Sequence, residues 1–231
     1  MIELGPDLVA ENLACRRGER WVFGGLSFCL APGGALVLTG ANGSGKTSLL
    51  RILATLLAPA AGRLLWGTVP VAIDIVAHRT RLHYVGHQDA VKPGLTPRET
   101  LAFWAALRGL QRREIMVRVE TALNLFSLDG VADWPCRWLS AGQRRRLALA
   151  RLIASPAAIW LLDEPSTGLD HDGQLRLERT IGEHRAAGGR VVVSSHTPID
   201  LAGAGTILLD SFAFSPAHPT VEQEWGPLRL F

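Results

Sequence analysis

Residues 40–47 read Gly40-Ala41-Asn42-Gly43-Ser44-Gly45-Lys46-Thr47, and they constrain the fold more than any other stretch. Glycine frees the backbone from the limits a Cβ imposes. Turned inward, successive N–H groups form a concave nest for an anion. Upstream, Ala35-Leu36-Val37-Leu38 is a short apolar run that reads as a buried strand. Downstream, Ser48 to Ala54 carries helix-forming residues with a broad apolar face. Strand, glycine loop and helix is the setting that the pattern G-x-x-x-x-G-K-[ST] needs to hold phosphates. The helix N-terminus adds partial positive charge. Gly40, Ala41, Asn42, Gly43, Ser44, Gly45, Lys46, Thr47 and Ser48 are thus expected to cradle ATP. Lys46 reaches the β- and γ-phosphates, and Thr47 ligates Mg²⁺.

At 231 residues the chain suits one domain, or one core with an inserted lobe. Hydrophobic residues make up 48% and charged residues 19%, which allows a large core and excludes global disorder. A net charge of +3 is too mild to argue for nucleic acid. Cys15, Cys29 and Cys136 lie far apart with no CxxC, so neither a zinc site nor a disulfide framework is expected. The first twenty residues lack the apolar core of a signal peptide. No run of about eighteen apolar residues suggests a membrane span. Any work at a membrane therefore depends on a partner.

Leu8–Ala10, Trp21–Phe23 and Leu26–Leu30 read as short strands, punctuated by Gly24-Gly25 and Pro32-Gly33-Gly34. Residues 63–66 and 82–85 are further strand candidates. Thr96-Pro97-Arg98-Glu99 is a capping box with proline at the first helical position. The helix it opens should run through Arg108 and stop at Gly109. A second helix is expected over 111–127, which makes about 95–137 an inserted helical lobe. Ile159–Leu162 and Val191–Val193 are continuous apolar runs, suited to parallel strands buried on both faces. The last twenty residues read as a short tail.

Ligands of open α/β sheets bind at the carboxyl ends of the strands. Asp163 ends the run Ile159–Leu162 and is placed to hold a Mg²⁺-bound water; Glu164 beside it can orient or deprotonate an attacking water. His196 closes the run from Val191 and suits a polar sensor of the γ-phosphate. Gln88 follows the strand at 82–85 and can touch Mg²⁺ or water while reporting to the helical lobe; His87 reads as solvated. Ser140 is a natural N-cap in the segment Leu139-Ser140-Ala141-Gly142-Gln143. Arg144, Arg145 and Arg146 then fill the first turn, where the helix dipole favours anions. An anion docking there accounts for them. One nucleotide held between two copies of the chain supplies it, with each copy offering its cradle to one ATP and its Ser140–Gln143 helix start to the other.

These motifs occur in order: the loop at 40–47, Gln88, Leu139–Gln143, Trp160–Pro165, Ser166–Asp170 and His196. Together they resemble the ATPase subunits of ABC transporters over about residues 5–210. The resemblance implies an α/β P-loop NTPase core, over about 1–94 and 138–210, with an N-terminal antiparallel β-subdomain and the inserted helical subdomain. Residues 211–231 form the tail. It further implies a head-to-tail homodimer with two ATPs at its interface. Gly40 to Ser48, with Ser140, Gly142 and Gln143 from the partner copy, would bind ATP. Glu164 would be the catalytic base, with His196 and Gln88 assisting. Thr47, Gln88 and Asp163 would hold Mg²⁺, and Asp170 would belong to the loop linking the two sites. Where such subunits stack adenine on an aromatic residue, this chain carries Arg17, with Trp21 four residues on. Either can meet the base, since an arginine plane also stacks.

A narrower likeness lies in residues 13–28, 84–109 and 139–152, which resemble ATP-binding subunits of the cytochrome c maturation haem exporter. It implies a motor held by integral membrane subunits on the cytoplasmic face of the bacterial inner membrane. ATP hydrolysis there would release a haem-loaded chaperone, with haem met only indirectly and no direct contact with nucleic acid. Two alternatives stand beside this reading: another ABC exporter, or a soluble ABC ATPase acting on nucleic acid or ribosomes. Phe103 and Trp104 fit either a core position or a cleft for a membrane partner.

Overall fold

The computed structural model describes residues 5–196 and 201–213. The predicted tail therefore lies mostly outside the described residues. The chain opens with β1 (Leu8–Arg17) and β2 (Arg20–Leu30), followed by β3 (Ala35–Thr39), α1 (Lys46–Leu53), β4 (Ala61–Trp66) and β5 (Val69–Pro70). Next come α2 (Ile75–Thr80), β6 (Leu82–Val85), α3 (Pro97–Leu107) and α4 (Arg112–Leu125). The chain continues through α5 (Ala141–Ala154), β7 (Ile159–Asp163), α6 (His171–Ala186), β8 (Arg190–Ser194) and β9 (Gly205–Leu208).

Two sheets result. One is antiparallel, in the order β2-β1-β4-β5; the other has the order β6-β7-β8-β3-β9, with every pairing parallel. The parallel sheet is buried on both faces, as its apolar runs predict. Alternation along each strand divides its side chains between two cores. Trp160, Leu162, Val191 and Val193 pack toward Leu101, Leu123, Phe126 and Leu147 of the helical side. Ile159, Leu161 and Val192 pack toward α1 and the antiparallel sheet, among Leu8, Leu13, Phe23 and Leu50.

The helical lobe forms as expected. Thr96 accepts from Glu99 N–H, the Glu99 carboxylate accepts from Thr96 N–H, and Arg108 caps the end of α3 beside Gly109. The antiparallel region differs from its expected short strands. Trp21–Phe23 and Leu26–Leu30 are one strand, and Gly24-Gly25 lies inside it instead of turning the chain. The pairing of β1 and β2 shifts register three times between Ala10 and Arg16, with Asn12 at φ 49° and Gly25 at φ 69°. Bulges absorb the glycines and add twist where a turn was expected. The chain also forms α2, α6, β5 and β9, which the hydrophobic pattern had not marked.

Candidate nucleotide site

The glycine loop leaves the carboxyl end of β3 and enters α1. Gly40, Gly43 and Gly45 all take positive φ, at 135°, 82° and 110°. A Cβ at Gly45 would lie 2.7 Å from Val22 Cγ1 and 2.9 Å from Phe23 Cδ1. At Gly40 it would lie 2.8 Å from Ser44 Oγ. Only glycine fits either place. Lys46 is buried, and its ammonium donates to the carbonyls of Gly40 at 2.7 Å and Ala41 at 3.1 Å. Ala41 N–H in turn donates to Asp210 Oδ2 at 2.9 Å.

Asp163, Ser194 and Thr47 meet where β7, β8 and α1 converge. Thr47 Oγ1 donates to Asp163 Oδ1 at 3.1 Å, and Ser194 Oγ donates to the same oxygen at 2.7 Å. Glu164, the next residue, has φ 50°, a left-handed conformation that is strained for a side chain with a Cβ. Its N–H is held by the Ser194 carbonyl at 3.2 Å and hydroxyl at 3.0 Å. His196 N–H donates to Glu164 Oε2 at 3.3 Å, and His196 Nε2 lies 3.2 Å from Oε1. Asn42, Gly43, Gly45, Lys46, Thr47 and Ser48 share a cleft of about 200 Å³ with Asp163, Glu164 and His196.

The residues of the cleft and its loop have the chemistry that a nucleotide and Mg²⁺ require. The Ser44 hydroxyl is buried inside an anion nest with no hydrogen-bond partner among the described residues. Mg²⁺ takes oxygen ligands and relies on one or two protein groups plus phosphates. One hydroxyl and one carboxylate, from Thr47 and Asp163, match that demand. Among the described residues no cluster of three or more histidine, cysteine or acidic side chains offers a competing metal cage.

Other predicted site residues lie elsewhere. Gln88 is exposed and lines a neighbouring groove of about 870 Å³ with Arg51, Trp104, Arg108 and Arg151. Arg17 is exposed at the end of β1, paired across the hairpin with Arg20, and Trp21 is half-buried with Arg16 over its ring. Neither Arg17 nor Trp21 lines the cleft. Ser140 caps α5 as expected: its hydroxyl accepts from Gln143 N–H at 3.1 Å, and Gln143 Oε1 accepts from Ser140 N–H at 2.8 Å. Ser140, Gly142 and Gln143 are absent from the cleft of their own chain.

The three arginines that follow do not await an anion, as the sequence suggested. Arg144 donates to Leu139 O at 2.5 Å, and Arg146 donates to the carbonyls of Phe126 and Ser127. Arg145 is buried, and its guanidinium donates to the carbonyls of Gly86, Asp163, Glu164 and Pro165 and to the Asp89 carboxylate. Backbone carbonyls outside α5, with the Asp89 carboxylate, hold these side chains instead. Of the two rings left open between core and cleft, Phe103 is exposed, with Lys92 over it, while Trp104 lines the groove with Arg151 4.5 Å over its ring.

The fold and this cleft define a P-loop ATPase of the ABC type. A family model described as ABC transporter matches residues 23–167, more than half of the chain. The chain belongs to the ABC transporter family, within its cytochrome c biogenesis ATP-binding export proteins, CcmA. It is 58% identical over 208 residues to the CcmA of Rhodospirillum rubrum, covering 90% of this chain and 88% of that protein. The CcmA of Paramagnetospirillum magneticum is 52% identical over 210 residues, covering 91% and 97%. A solved structure of an ATP-binding subunit of an ABC transporter superposes with a TM-score of 0.75 at 23% identity, covering 82% of this chain and 79% of that one. That likeness speaks for the fold. No helix among the described residues is long and apolar enough to cross a membrane.

Proposed function

We propose that this chain is the ATP-hydrolysing motor of a membrane complex that handles haem during c-type cytochrome assembly. On this reading it works as a head-to-tail pair, held by integral membrane subunits on the cytoplasmic face of the inner membrane. The cargo reading rests on its CcmA relatives, whose name states cytochrome c biogenesis and export.

The catalytic reading is carried by the Thr47–Asp163 contact of 3.1 Å, with Glu164 next in the chain at the mouth of the same cleft. Phosphoryl transfer needs positioning and charge neutralisation more than covalent chemistry. The amides of Gly43 to Thr47 and the Lys46 ammonium bind the phosphates. Mg²⁺, held by Thr47 and Asp163, would neutralise charge developing on the phosphate oxygens. Glu164 orients the attacking water and accepts its proton; His196, within reach of both Glu164 oxygens, fixes that carboxylate. Gln88 lines the groove that Trp104 also lines, and a helix of the membrane partner is expected to dock there.

The paired arrangement is supported by Ser140, Gly142 and Gln143. Ser140 is exposed and Gly142 and Gln143 are half-buried in a capped helix start that plays no part in their own chain's cleft. A second copy brings that start to the phosphates.

Two measurements test this reading. Glu164→Gln should bind ATP and lose about 10²- to 10⁴-fold in hydrolysis, as removal of a positioned base does. It should also accumulate as an ATP-bound dimer. Wild-type turnover in that variant dismisses the assignment of Glu164. Cysteines placed at Ser44 and Gly142 should cross-link between chains in the presence of ATP; links formed solely within one chain dismiss the pairing.

A further inference from the structure

Glu164 keeps a backbone conformation that few residues with a Cβ adopt, at φ 50°. Such a conformation persists only where the surroundings over-determine it. On one side the carbonyl and hydroxyl of Ser194 hold the Glu164 N–H. On the other side lies Arg145. Its Nη2 donates to the carbonyls of Asp163 at 3.0 Å and Glu164 at 2.7 Å, and its Nε donates to Pro165 O at 3.3 Å. Three successive carbonyls around the proposed base are thus gripped by one guanidinium.

The same group reaches a second segment. Arg145 Nη1 donates to Gly86 O at 2.9 Å and pairs with Asp89 Oδ1 at 3.2 Å. Gly86 and Asp89 bracket Gln88. A guanidinium has five N–H donors in a rigid fork, and here it meets five acceptors. Arg145 itself belongs to the second turn of α5, whose start is the Ser140–Gln143 capping box. Any shift of that helix start carries the fork with it.

We propose that Arg145 is a positioning residue: it holds Glu164 in its left-handed conformation and ties that residue, and the segment carrying Gln88, to the helix start offered to the partner copy. This rests on the paired reading above. Engagement of Ser140 to Gln143 by one nucleotide is thereby transmitted to the base that serves the other. Lysine supplies a charge but at most three donors, so it restores only part of the grip.

The test uses the 231-residue chain carrying Arg145→Met or Arg145→Lys, each with and without cysteines at Ser44 and Gly142. Turnover should fall about 10-fold or more in the methionine variant while the dissociation constant for ATP moves less than about 3-fold, a kcat effect without a binding effect. The lysine variant should recover part of kcat. Cross-links between chains should still form with ATP. Three results overturn the proposal. One is kcat within about twofold of wild type in the methionine variant while cross-links form. Another is a parallel loss of kcat and ATP affinity in both variants, which assigns Arg145 to stability alone. The third is the absence of cross-links between chains in the parent and both variants, which removes the pairing and the coupling with it.

Discussion

Ser194 Oγ donates to Asp163 Oδ1 at 2.7 Å, across the pairing of β7 with β8. The same oxygen accepts from Thr47, so two hydroxyls fix the carboxylate to which the proposed function assigns Mg²⁺.

Removing that brace should loosen the metal site before it harms nucleotide binding. A hydrogen bond to a charged group contributes about 1.5–3 kcal/mol, of which a fraction reaches the metal. Ser194→Ala should therefore raise the Mg²⁺ concentration for half-maximal ATPase activity about 3- to 10-fold. ATP affinity measured without Mg²⁺ should hardly move. An unchanged Mg²⁺ dependence would contradict the role given to Ser194.

Gly45 sits where the phosphate loop touches the antiparallel sheet. Gly45→Ala places a methyl group 2.7 Å from Val22 Cγ1 at φ 110°, and should cost about 2 kcal/mol or more in stability and abolish ATP binding. Gly43→Ala is the control: at φ 82° it meets nothing within 4 Å and carries only the backbone cost, about 1–2 kcal/mol. Thermal melts without nucleotide compare the two, and equal losses would refute the clash.

Stability should fall as the solution is acidified below neutrality. Burial pushes His83 down to about 3, with help from Arg108, and burial pushes His184, stacked on Trp160 at 3.7 Å, down to about 4. Both rings are neutral when folded and take up protons on unfolding. The unfolded chain therefore binds more protons below the ordinary histidine value of 6.5. The stabilisation is complete above that value and is lost as pH drops toward the folded values. At pH 5 the loss is about 2 kcal/mol per ring. Urea denaturation at pH 7 and pH 5 should show it, and His184→Phe, which keeps a ring against Trp160, should remove about half. A midpoint indifferent to pH across that interval would be the contrary result.

Trp21 is half-buried under Arg16 and stands outside the phosphate cleft. Trp21→Ala should change ATP affinity less than about 3-fold, below what a lost stacking partner for a base costs. A tenfold or greater loss by titration would place Trp21 on the adenine.

The sequence disclosed the parts of this fold whose physics is local. Gly40 to Thr47, the capping box at Thr96, the N-cap at Ser140, and the doubly buried runs at 159–162 and 191–193 all follow from neighbours within a few positions. What it hid depends on distant partners. Gly24-Gly25 looks like a turn until β1 is present to pair with it as a bulged strand. Arg145 and Arg146 look like anion ligands until the carbonyls of Glu164 and Phe126 are brought to them. Asp210 and Ser194 were missed although both lie at or just past the carboxyl ends of parallel strands, where the rule that found Asp163 would also have found them.

The alternation along β8 makes the parallel sheet a septum. Val192 belongs to the compartment that contains α1, and Val191 and Val193 belong to the one that contains α3 to α5. A single strand thus serves two chambers with separate fillings, and the helical chamber can soften or be re-sculpted for a new partner while the chamber beneath the phosphate loop keeps its shape.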